Sequence, residues 1–104
     1  MLLNEIKMII NPKLSETQKR VMCIVKTAPT SIVGYEQTQT DENTVQAREM
    51  LVKIGMLRFD EEGGLVVTDD GETTMQRENL VDDMGELTDE GRALVNKDQP
   101  SPEI

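Results

Sequence analysis

A chain of 104 residues with 37% hydrophobic and 30% charged side chains suits one small globular domain, and with one Phe, one Tyr and no Trp its core must rest on aliphatic residues and on the seven Met. The absence of histidine removes the usual general base and the commonest metal ligand, and a single cysteine rules out an internal disulfide. The net charge of −9 is unevenly spread: residues 1–58 hold eight bases against six acids (+2) and residues 59–104 three bases against fourteen acids (−11), an asymmetry that bears on partners and solubility rather than on fold.

No apolar run is long enough to cross a bilayer, and Glu5 and Lys7 interrupt the stretch MLLNEIKMIINPK, so neither a membrane span nor a signal peptide is expected and the protein reads as cytoplasmic. Leu2, Leu3, Ile6, Ile9 and Ile10 recur at helical spacing before Asn11-Pro12, which predicts a short amphipathic helix over 2–10. Alone it would be marginal, so it is expected to dock on the domain or on a second copy, and it is the candidate contact of a homodimer. Ser15 with Gln18 forms a capping box for a helix over 16–28, with Val21, Met22, Ile24 and Val25 as its buried stripe and Pro29 as its stop; Cys23, within VMCIV, reads as a small core residue. Thr30 or Ser31 caps the weaker helical stretch SIVGYEQTQT. Asp41 and Asn43 offer caps for a helix over 43–54, which carries Ala47, Leu51 and Ile54 on one face and ends at Gly55.

MLRF and GLVVT then flank DEEGG as the two strands of a hairpin. Beyond it, TDDGE at Thr68–Glu72 and TDEGR at Thr88–Arg92 repeat at a spacing of twenty. They read either as carboxylates gathered for a divalent cation or as threonine caps with acids in the first helical turn; no calcium-loop spacing follows, so caps are expected. Residues 97–104, polar with two prolines, read as a flexible tail after a single domain at 1–96.

Catalytic chemistry finds little support. No Cys-His or Ser-His nucleophile can be assembled without histidine, and Asp82, Asp83 and Glu86 have no aromatic residue beside them to form a sugar cleft or to raise a carboxyl pKa. No enzyme, catalytic residue, cofactor or metal site is expected.

TVQAREMLVKIGML resembles the recognition helix and exit of winged helix-turn-helix regulators, with Thr44, Val45, Leu51, Gly55 and Leu57 at the matching places. LTDEGRAL, residues 87–94, resembles the strand-to-helix step that closes the wing in MarR-like and PadR-like members, so the resemblance spans about 15–94. It implies a mainly α fold with a small β-hairpin, a winged helix-turn-helix, and a transcription regulator that binds double-stranded DNA. In that reading the helix at 43–54 enters the major groove with Thr44 near its start, Asn43, Gln46 and Arg48 meet base edges, and Lys19, Arg20, Lys53 and Arg58 meet phosphates.

Three features depart from the family pattern. Thr44 to Gly55 is one residue short, the chain lacks the long C-terminal helix through which MarR-like proteins dimerise, and Leu57 to Leu87 is long for a simple wing, so VTDDG at 67–71 is a second candidate for the closing step and 69–84 is either an added helix or an extended loop. Asp60, Glu61 and Glu62 also give the hairpin an acidic tip, which opposes phosphate binding. The alternative reading is therefore an acidic winged-helix protein-interaction module or nucleic-acid mimic whose C-terminal half meets a basic partner. The exposed side of helix 43–54 discriminates: a basic stripe favours DNA, and a negative or apolar surface favours protein.

Overall fold

A computed structural model describes residues 13–96; the expected helix at 2–10 with its dimer contact, and the tail at 97–104, lie outside the described residues. Five helices and one two-stranded antiparallel sheet follow in the order α1 (Glu16–Thr27), α2 (Ser31–Gln37), α3 (Glu42–Lys53), β1 (Leu57–Phe59), β2 (Leu65–Val67), α4 (Asp69–Arg77) and α5 (Asp89–Asn96).

Local chemistry sets most boundaries. The Ser15 hydroxyl accepts the Gln18 N–H at 3.1 Å while the Gln18 side chain accepts the Ser15 N–H at 2.9 Å, so two of the unpaired donors at the start of α1 are satisfied reciprocally. Ala28, which precedes Pro29, is extended, as the proline ring requires, and α1 stops there. Thr30, Asp41 and Thr68 cap α2, α3 and α4 by accepting the N–H groups of Val33, Thr44 and Gly71. At the end of α3, Gly55 has φ +88, a left-handed conformation that turns the chain into β1.

The sheet pairs Leu57 with Val67, Arg58 with Val66 and Phe59 with Leu65. The segment 69–84 contains both an added helix, α4, and the start of a second, smaller antiparallel contact in which Val81 pairs with Leu87.

Helix α1 is central: it packs on α2, α3, α4, α5 and β2. Val21, Met22 and Cys23 from α1, Leu51 from α3, Leu57 and Leu65 from the strands, and Met75 and Leu80 from α4 and its exit are at most 1% exposed. This core is aliphatic, as the composition requires, and Tyr35, Leu87, Leu94 and Val95 close over it half-buried. Removing a side chain the size of Leu51 from such a site costs ~2–5 kcal/mol. Burial also pushes the Cys23 thiol up to about 12, so the thiolate is absent at neutral pH and the residue is a packing group.

Candidate interaction surface

The exposed face of α3 and the hairpin beside it form the surface the sequence singles out. Helix α3 shows solvent Glu42, Asn43, Gln46, Glu49, Met50 and Lys53, spaced as one side of a helix. The hairpin adds Arg58, Phe59, Glu61 and Glu62, with Asp60 half-buried. Across these residues five acids face two bases, Lys53 and Arg58. Met50 is 45% and Phe59 48% exposed, so the surface also has an apolar component.

The eight residues expected to contact DNA do not stay together. Asn43, Gln46, Lys53 and Arg58 are exposed, although the Gln46 amide donates to the Glu42 carboxylate at 3.4 Å. Lys19 forms an ion pair with Glu78 at 3.3 Å, and Arg20 donates to the Thr44 hydroxyl at 3.0 Å, which ties α1 to α3. Thr44 is 1% exposed and Arg48 5% exposed, so both point into the protein. Arg48 lies over the Tyr35 ring, 4.7 Å from its centroid, donates to the side-chain oxygen of Gln39, and sits 3.7 Å from the Glu49 carboxylate. Its Nε is buried without a hydrogen-bond partner among the described residues. Tyr35 in turn meets Phe59 at a tilted 6.0 Å, which links α3, α2 and β1 through one stack. Neither Tyr35, Gln39 nor Phe59 stands out in the sequence, because the contacts join residues far apart in the chain.

The acidity of the hairpin tip has a structural component. The Asp60 side chain accepts the N–H groups of Glu62 at 3.0 Å and Gly64 at 2.9 Å, so this carboxylate closes the turn. A hydrogen bond from Ser31, then the two backbone N–H groups and the nearby Arg58 charge, hold its pKa below the ordinary carboxylate value. Asp41 is depressed in the same direction, first by the Thr44 backbone N–H and secondarily by the Thr44 hydroxyl and Arg20. Glu61 and Glu62 have no such structural duty and remain a solvated pair.

Nothing among the described residues gathers three or more Cys, Asp or Glu side chains in a metal-holding group. An open groove of about 710 Å³ beside α3 is lined by Arg20, Ile24, Asp41, Thr44 and Val95, among others. No described helix is long and apolar enough to cross a membrane. No family model, curated protein or solved structure matches the chain.

Proposed function

We propose that this chain is a non-enzymatic, winged-helix-type interaction module in which α2 and α3 form the helix-turn-helix, β1 and β2 the wing, and the exposed side of α3 with the wing meets a basic protein surface. The observation that carries this reading is the charge of that surface: Glu42, Glu49, Asp60, Glu61 and Glu62 against Lys53 and Arg58. Binding to nucleic acid draws its affinity from bases that neutralise phosphates, and an acid placed beside a phosphate costs on the order of 1 kcal/mol even in high dielectric. Two bases that could have changed the balance are engaged elsewhere, Lys19 with Glu78 and Arg20 with Thr44, and buried Arg48, held by Tyr35 and Gln39, faces one of the five acids, Glu49, at 3.7 Å, which leaves the surface acidic. Met50 and Phe59 supply apolar anchors of the kind protein interfaces use.

A DNA-reading regulator is the competing reading, served by exposed Asn43, Lys53 and Arg58. Titrations of the full chain with random duplex DNA and with poly-lysine, each at low and high salt, separate the two. The module reading expects no duplex binding and salt-sensitive poly-lysine binding that weakens severalfold when Glu49, Glu61 and Glu62 are changed to Gln. Changing Asp70, Asp89 and Glu90 to their amides, an equal loss of charge elsewhere, should leave it nearly intact. Duplex binding by the parent protein, or equal weakening in both triple variants, would overturn the proposal.

A further inference from the structure

We infer that residues 75–92 are a contracted second copy of the helix-exit, hairpin and helix-entry unit at 51–72, with two residues missing from each arm of the hairpin. The correspondence begins where each helix ends. Met56 donates its N–H to the Leu51 carbonyl at 2.9 Å, and Leu80 donates to Met75 at 2.8 Å; both acceptors belong to fully buried residues. The residue before each donor is left-handed, Gly55 with φ +88 and Asn79 with φ +63, and Asn is the side chain that best tolerates that region.

The turns match atom for atom. Asp60 donates its N–H to Gly64 O at 2.9 Å and Asp82 to Glu86 O at 2.8 Å; Gly63 and Gly85 return their N–H groups to Asp60 O and Asp82 O at 3.1 and 3.0 Å. Each aspartate also accepts the N–H groups two and four residues on, Glu62 and Gly64 in the first turn, Met84 and Glu86 in the second. Gly63 and Gly85 have φ +86 and +83.

The exits match as well. Thr68 donates its N–H to Met56 O and its hydroxyl to Gly55 O at 2.6 Å, and Thr88 donates its N–H to Leu80 O and its hydroxyl to Asn79 O at 2.7 Å. Both hydroxyls then accept the N–H of a glycine three residues on, Gly71 at 3.0 Å and Gly91 at 3.1 Å. A Cβ on either glycine would run into the carbonyl oxygen of Met56 or Leu80, the same strand-entry residue in each copy. A tight aspartate-glycine turn by itself could arise twice by chance, since such turns are common. The doubly bonded threonine, the close glycine and the left-handed helix exit do not follow from the turn.

Arg58-Phe59 and Leu65-Val66 are the residues without counterparts: Leu57 leads to Asp60 through them where Val81 leads directly to Asp82, and Gly64 leads to Val67 where Glu86 leads directly to Leu87. An even deletion keeps both the side-chain faces and the hydrogen-bond parity of an antiparallel pair, whereas an odd one reverses them. The second hairpin is therefore expected to accept the missing residues back. In the full chain, Arg-Phe inserted between Val81 and Asp82 together with Leu-Val between Glu86 and Leu87 should leave the thermal midpoint within a few degrees of the parent. It should also keep the Thr88 and Glu86 amides protected from hydrogen exchange. Arg and Leu inserted singly at the same two places should lower the midpoint by several degrees more and expose those amides. The two variants behaving alike, or the single insertion being the better tolerated, overturns the inference.

Discussion

Arg48 is charged, sits mid-helix on α3, and by spacing alone belongs to a face that could reach a base edge; its surroundings give it another task. The guanidinium spans from α3 to the Tyr35 ring and to Gln39, so its charge is balanced by a π face and an amide oxygen inside the fold. Its contact with Glu49 is long, and the Glu49 side chain is 67% exposed, so that pair contributes little. Arg48→Ala is therefore expected to destabilise the protein by ~1–3 kcal/mol through lost stacking, packing and a lost hydrogen bond. Arg48→Lys should recover less than half, because an ammonium cannot lie flat on a ring and reach an amide at once. Denaturant unfolding midpoints measure both; an unchanged midpoint in Arg48→Ala would mean the side chain contributes nothing where it lies, and a full rescue by Lys would remove the stacking argument.

At the scale of elements, the glycines that open α4 and α5 invert an ordinary rule. Replacing a helical glycine by alanine usually stabilises by about 0.5–1 kcal/mol, since glycine has more backbone freedom to lose on folding. Here Gly71 and Gly91 lie against the carbonyl oxygens of Met56 and Leu80, rigid backbone rather than a side chain that can turn away. Gly71→Ala and Gly91→Ala are each expected to destabilise by ~1–3 kcal/mol, the cost of overpacking, and a rise in thermal midpoint in either would show that the helix entry can shift outward. The same two segments mark how far the sequence could be read. Helices α1 and α3, the caps at Ser15 and Thr68 and the first hairpin were legible because each depends on residues within a turn or two of one another, whereas Asp41 was one of two candidate caps beside Asn43 and α4 one of two alternatives for 69–84, an added helix or an extended loop. The threonine-glycine repeat was legible as a pair of caps, but not as the close of two hairpins, because Leu80-Val81 is too short to show strand alternation. The candidate surface was legible in its acids and illegible in its bases, whose fates are set by Glu78, Thr44, Tyr35 and Gln39 from other elements.

For the whole molecule, the excess of acids and the two depressed carboxylates act on stability in opposite directions as pH falls. At neutral pH the net charge of −9 adds repulsion among surface carboxylates to the folded state, and added salt should raise the thermal midpoint by screening it. Lowering the pH toward 5 removes part of that repulsion, so the midpoint should first rise. Asp41 and Asp60 act in the other direction. Their pKa values lie below the ordinary 3.8 in the folded protein, so the unfolded chain takes up their protons first, and the stability they contribute is present above that value and lost as pH falls through the folded ones. The physical content of the loss is the opening of the α3 cap and of the first hairpin turn, each held by a carboxylate that accepts backbone N–H groups. Thermal midpoints of the parent should therefore pass through a maximum on the acid side of neutrality and fall steeply below about pH 4. In the double variant Asp41→Asn, Asp60→Asn, amide oxygens keep accepting the same N–H groups without titrating, so the fall should be shallower and the neutral-pH midpoint a little lower because charged acceptors bond more strongly. A double variant whose acid limb coincides with that of the parent would place the acid-sensitive groups elsewhere in the fold.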